Sequence, residues 1–131
     1  VNNTGNIMVC VTQQKTCGRL IKRGAILKEK INGELFVIHV ARDGVNFLGN
    51  HKEAEALEYL FDKSKEVGAD MTVLRSKDVS GAIIDFAKDK KIDHIILGEP
   101  PKDCKDAGII YELKSKLPDR KFYIIPSEEL E

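Results

Sequence analysis

The chain has 131 residues, which suits one domain and allows roughly two-thirds of the unfolded surface to be buried. Hydrophobic residues are 42% and charged residues 32%, which excludes collagen-like, low-complexity and wholly disordered chains. Lys plus Arg and Asp plus Glu each number 21, so the formal charge is zero and a nucleic-acid partner is not expected.

No apolar run approaches the ~20 residues of a membrane helix, so direct membrane contact is not expected either. The polar start Val1-Asn2-Asn3-Thr4-Gly5 is no signal peptide, and residues 1–5 are expected to be disordered. An initiator Met is absent, which fits a processed chain or a segment of a longer protein. Three Cys without scaffold spacing point to a reducing, cytoplasmic compartment.

Short apolar runs alternate with amphipathic stretches along the chain. Ile7 to Val11 is the first strand. A helix follows, with Leu20, Gly24, Leu27 and Ile31 on one stripe and Asn32-Gly33 at its end. Leu35 to Val40 is the second strand. Leu57, Leu60, Phe61, Ser64 and Val67 give the second helical stripe, closed by Gly68. Met71 to Leu74 is a short third strand. Asp78 is a suitable N-cap for a third helix carrying Val79, Ile83, Phe86 and Ala87. Lys88, Lys90 and Lys91 suit the negative end of its dipole. His94 to Leu97 is the fourth strand. Ile110, Leu113 and Leu117 form the fourth stripe, ended before Pro118. Phe122 to Ile125 is the fifth strand, stopped by Pro126.

Strands apolar on both faces belong to a parallel sheet covered by helices. The βαβαβαβαβ pattern therefore predicts an open α/β domain over 1–131, with right-handed crossovers and helices on both faces. The third strand is short and alternates through Thr72, while the second is solidly apolar. Short polar strands sit at edges, so the order 3-2-1-4-5 fits better than 2-1-3-4-5. In that order the chain reverses between strands one and four, and ligands of such sheets bind there, outside the strand C-termini. The crevice would be lined by Thr12 to Cys17, by Gly98 to Ala107 and by the end of strand two at Val40.

Thr12, Gln13, Val40, Gly98 and Glu99 are the candidate ligand-binding residues. Gly98 directly follows a strand and would let a ligand approach the backbone, or simply serve a turn. Glu99 adds negative charge, and Pro100 and Pro101 remove N–H donors that a phosphate nest uses. There is no Walker motif and no G-x-G-x-x-G. Lys15, Arg19, Lys22 and Arg23 make the first helix locally basic. That pattern reads as a solvated helix face, with anion binding at the helix start as the sharper alternative.

Cys10 lies in an apolar strand and reads as inert core. Cys17 and Cys104 fall on the crevice side and could form a thiol-redox pair, but no C-x-x-C accompanies them. His39 and His94 read as strand residues satisfied within the fold, and no metal site is expected. No nucleophile elbow and no carboxylate pair with a motif is present, so no catalytic residue is assigned. Acidic residues for a phosphorylation site after strand one are replaced by Thr12-Gln13-Gln14.

The chain resembles the universal stress protein family, most closely the branch found inside Kdp-type osmosensing histidine kinases. The likeness runs from Asn6 to Pro126. It is carried by Ile7 to Val11, Leu20 to Ala25, Leu35 to Val40 and Val67-Gly68-Ala69-Asp70. Its most specific part is Asp78 to Gly98, with Asp78-Val79, Ala82-Ile83-Ile84, Phe86-Ala87 and Asp93 to Gly98. The resemblance implies an adenine nucleotide alpha hydrolase-like sheet of order 3-2-1-4-5, a signalling or stress-response role, frequent dimers and no catalytic triad.

Many members of that family bind ATP through G-x2-G-x9-G-[S/T] after strand four. Gly98 matches the first Gly, whereas Pro101, Tyr111 and Glu112 stand at the second Gly, third Gly and hydroxyl positions. The Asp of many ATP-binding members is Thr12 here. Some kinase-borne members bind cyclic di-AMP through hydroxyls after strand one and an F-T-A-x-Y run in strand two. Leu35-Phe36-Val37-Ile38-His39 departs from that run.

The expectation is a non-enzymatic regulatory domain without a tightly held cofactor. It would act through a protein partner or a homodimer joined by strand 122–125. An adenine-nucleotide sensor holding ATP or AMP, and a thiol-redox module, are the alternatives.

Overall fold

The computed structural model describes residues 5–11, 18–31, 33–42, 51–98 and 107–125. In chain order these form β1 (Asn6–Cys10), α1 (Gly18–Lys30), β2 (Leu35–Arg42), α2 (His51–Glu66) and β3 (Asp70–Ser76). Then come α3 (Val79–Asp89), β4 (Ile92–Gly98), α4 (Ala107–Lys116) and β5 (Lys121–Ile125). All five strands are parallel, and their order is β3-β2-β1-β4-β5. Of the expected disordered start, residues 1–4 lie outside the described residues, while Gly5 packs against Asp93.

The alternation of side chains along each strand sorts the core into two layers. Ile7, Val9, Leu35, Val37 and Ile96 face one way and meet Leu20 and Ile21 of α1 and Leu60 of α2. Met8, Phe36, Ile38, Ile95 and Leu97 face the other way and meet Ile83 and Ala87 of α3, Leu113 of α4 and Leu117 just after it. Ile7, Met8 and Val9 of the central strand are completely buried. Each such side chain contributes about 1.5–3 kcal/mol of transfer free energy, so β1 anchors both layers.

β3 does lie at an edge, but it is not short. It runs seven residues and pairs with β2 from Phe36↔Asp70 to Arg42↔Ser76. Polar residues at its ends hide its length from any search for apolar runs. None of its side chains is fully buried, and Val73 is exposed, as an edge strand allows.

In α2 the buried stripe is Ala56, Leu57, Leu60 and Ser64; Phe61, expected on that stripe, is exposed with the Lys65 ammonium 5.4 Å from its ring centroid. Leu57, Leu60 and Ser64 follow the i, i+3, i+4 rows, and Phe61 falls just off the covered side. Gly68, at φ 73°, turns the chain in the left-handed region, and the Ala69 N–H then bonds the Ser64 carbonyl at 2.8 Å. The Asp78 carboxylate caps α3, accepting the Gly81 N–H at 3.0 Å.

The seating of α1 positions the crevice side of the sheet. A Cβ at Gly24 would stand 2.7 Å from Val9 Cγ2 and 2.9 Å from Leu35 Cδ1, both on fully packed strands. Only glycine permits this approach. Gly24→Ala sets a helix-propensity gain of about 1 kcal/mol against an overpacking cost of about 1–3 kcal/mol. Val9 is stiff at χ1 and fully buried, so the cost wins. The expected result is a lower urea midpoint with an unchanged m-value; a higher midpoint would show that α1 is not held so closely.

Candidate functional site

The direction of the chain reverses between β1 and β4, which pair from Asn6↔Ile92 to Val9↔Ile96. Beyond their C-terminal ends lies the crevice of an open α/β sheet. Three described features border it: the start of α1, the end of β2 and Gly98.

Gly98 ends β4 and pairs with Ile125. Its Cβ direction points to the α1 side, where a methyl group would stand 3.4 Å from Leu20 Cδ1 and 3.6 Å from Arg19 Nη2. These are ordinary contacts, so packing alone does not demand a glycine here. The glycine leaves the backbone open beside the Arg19 guanidinium. Val40 ends the apolar part of β2 at the same end of the sheet. Its side chain packs into the α3–α4 layer, on the opposite face from Arg19. The fold thus brings Gly98 and Val40 to one end of the sheet but on different faces. Thr12, Gln13 and Glu99 lie outside the described residues, as do Cys17 and Cys104.

The histidines serve the fold, as expected from their strand positions. His39 is buried, and its Nδ1 donates to the Val11 carbonyl at 3.1 Å. The Val11 N–H in turn bonds the Ile38 carbonyl at 2.9 Å, so β2 clamps the end of β1 at the crevice floor. His94 Nδ1 lies 3.1 Å from the Tyr123 hydroxyl, linking β4 to β5. Cys10 is a free thiol facing the α3–α4 layer, and burial pushes it up to about 12. At neutral pH it is protonated and a poor nucleophile. Among the described residues, no three His, Cys, Asp or Glu side chains gather as metal ligands. No described helix is long and apolar enough to cross a membrane.

Two positions of the Gly and hydroxyl pattern are described. Tyr111 projects from α4 with 76% of its surface exposed. The Glu112 carboxylate accepts the Ser80 hydroxyl at 2.7 Å, and Asp78 Oδ1 lies 3.2 Å from the same oxygen. Glu112 is therefore committed to bracing α4 against the start of α3. Neither position supplies the small residue or hydroxyl that would cradle a polyphosphate.

Arg19 is what the sequence understated. Lys22 and Arg23 of the same helix are exposed, as a solvated face requires, but Arg19 is half-buried. Its Nη1 is screened from solvent and has no hydrogen-bond partner among the described residues. The one signal in the sequence was its place directly before Leu20, at the margin of the buried stripe.

Comparison with known proteins places this geometry in a family. A protein of Synechocystis sp. that carries the name of the sensor KdpD is 29% identical over 123 residues, covering 91% of this chain and 33% of that protein. The chain thus spans about a third of that relative. The universal stress protein UspA from Lactobacillus plantarum has a similar fold, with a TM-score of 0.71 at 16% identity over 95% of this chain and 99% of that one. A universal stress protein from Archaeoglobus fulgidus in complex with dAMP gives a TM-score of 0.61 at 16% identity, over 93% of this chain and 96% of that one. The sequence model of the Universal stress protein family matches residues 3–103, and the chain belongs to that family.

Proposed function

We propose that the chain is a non-catalytic regulatory domain of the kind that Kdp-type sensors carry, working in the cytoplasm through a protein partner or a second copy of itself. One observation carries this reading. The KdpD-named relative matches nearly all of this chain yet is three times as long, as expected for a module coupled to other parts. The site chemistry supports it. The described His and Cys side chains are engaged in the fold or, for Cys10, held protonated. A regulatory domain of this kind turns over no substrate. Incubation with ATP and Mg²⁺ is expected to release no phosphate above the buffer rate. A steady release that persists through purification and disappears in Gly98→Leu would overturn the reading.

A second reading is favoured by the Arg19–Gly98 arrangement: the crevice holds a small adenine-bearing ligand as its signal. The fold neighbour crystallised with dAMP supports adenine nucleotides as the class to try. Tyr111 and Glu112 argue against a polyphosphate, so ATP is expected to bind only in the millimolar range, about −4 kcal/mol. Calorimetry with ATP, AMP and cyclic dinucleotides tests this; a micromolar, stoichiometric ATP site would contradict it.

The proposed homodimer forms through β5. This strand is an edge, and Phe122, Tyr123 and Ile124 are only half-buried. Pairing with the same strand of a second chain would satisfy the open N–H and C=O groups and give a closed twofold contact. Light scattering at tens of micromolar is expected to give a dimer mass, and Ile124→Lys a monomer with unchanged circular dichroism. A monomer mass for the unaltered chain would defeat the dimer.

A further inference from the structure

The formal charge of zero is a sum of unlike surfaces. The four described helices run back against the strands, so their C-terminal ends lie at the end of the sheet away from the crevice. In the α1–α2 layer that end is balanced. Lys28, Lys30, Lys63 and Lys65 stand with Glu29, Glu34, Glu66 and Asp70, and Lys63 bridges Glu66 at 3.6 Å. In the α3–α4 layer it is not. Lys88, Lys90 and Lys91 close α3, Lys114 and Lys116 close α4, and Arg120 and Lys121 open β5. Against these seven cations stand Asp89, Asp93 and Asp119.

The fold draws these cations onto one face. Arg120 Nε donates to the Ile92 carbonyl at 3.0 Å, which sets Arg120 beside Lys91, and Lys121 pairs with His94. Asn6 Nδ2 donates to the Lys90 carbonyl at 2.7 Å and ties the end of α3 to β1. Leu113 and Leu117 at the end of α4 pack in the same layer as Ala87 at the end of α3. The lysines are all exposed, and Arg120 is half-buried. Among the described residues only Lys90 has an ion pair, with the adjacent Asp89 at 3.9 Å. A lysine in the last turn complements a helix dipole. That applies equally to α1 and α2, where carboxylates still accompany the cations, and it does not reach Lys91, Arg120 or Lys121, which lie outside the helices.

We propose that this end of the domain docks an acidic surface of a partner protein. This deepens the first reading above, a regulatory domain acting through a protein partner, and rests on it. A lipid surface is a poorer fit, because the exposed large hydrophobics of the described residues lie off these segments and leave nothing to insert. A nucleic acid is a poorer fit as well, because no exposed aromatic ring stands here for a base to stack on. Asp89, Asp93 and Asp119 interrupt the cations at fixed points. A uniformly anionic surface meets each of them as a repulsion, whereas a protein surface can set a cation opposite each and so fix one register.

The test compares the full chain with two variants of equal net charge. The first carries Lys88→Gln, Lys91→Gln, Lys116→Gln and Lys121→Gln. The second carries Lys22→Gln, Lys30→Gln, Lys65→Gln and Lys77→Gln, all exposed and off this face. Fluorescence anisotropy follows a labelled glutamate-rich helical peptide and a labelled DNA duplex, and sedimentation follows phosphatidylglycerol vesicles, all at low ionic strength. The peptide is expected to bind more tightly than the duplex or the vesicles. The first variant should bind it about tenfold or more weakly, and the second within about twofold of the unaltered chain. Melting temperatures report the fold, and Lys91→Gln and Lys121→Gln singly carry the comparison if the fourfold change unfolds the chain.

An equal loss in both variants would show attraction to net charge alone, and no peptide binding would show an end that only complements its helix dipoles. Either result overturns the docking surface. Tighter binding of vesicles or of DNA than of the peptide would overturn the protein partner in favour of a lipid or nucleic-acid one. None of these results touches the non-catalytic reading, which phosphate release tests separately.

Discussion

β1 is held on both sides by parallel neighbours and on both faces by helices. Ile7, Met8 and Val9 have no exposed surface, so nothing in this strand can move without disturbing both core layers. Parallel pairing on both sides forces the chain to leave β1 over one face, through α1 to β2, and to return to β4 over the other, through α3. In open α/β sheets the place beyond the C-terminal ends of such a strand pair is where ligands bind. Gly24 allows α1 to lie directly on Val9 and Leu35, and this brings the first turn of α1 down to Gly98. His39 fixes the Val11 carbonyl, one residue past β1, from the neighbouring strand. The site thus inherits its geometry from the burial of one strand.

Much of this arrangement is legible in the residues. Solid apolar runs such as Leu35 to Ile38 occur only where both faces of a strand are covered, and they are covered. Asp78 announces the start of α3 because a short carboxylate three residues before Gly81 can reach its N–H. Edge placement of β3 follows from its polarity. Its length does not, because Asp70, Arg75 and Ser76 pair through their backbone with β2 and need no apolar side chain to do so. Phe61 shows another limit: it stands four residues from Leu57, at the margin of the stripe, where a few degrees of helix rotation decide between core and solvent. Arg19 shows the deepest limit. Its sequence context differs from that of Lys22 and Arg23 only by its place directly before Leu20, and the packing of α1 on the sheet is what screens its guanidinium.

The family pattern and the particular residues pull in different directions, and the structure shows how. The fold is that of universal stress proteins, and the chain belongs to the family. Yet Glu112 is drawn into a brace with Ser80, and Tyr111 faces solvent, where a phosphate-cradling turn would need small residues. The sheet ends in two edge strands, β3 and β5, whose outer backbone groups have no neighbouring strand among the described residues.

The most direct measurement is a nuclear magnetic resonance titration of the isotope-labelled chain with AMP. Occupation of the crevice predicts saturable shifts at the Gly98 and Val40 amides and at the Arg19 Nε–Hε, with the Phe122 to Ile124 amides of β5 unmoved. Shifts confined to β5 or β3, or an unchanged spectrum at millimolar AMP, would contradict a ligand site at the switch point.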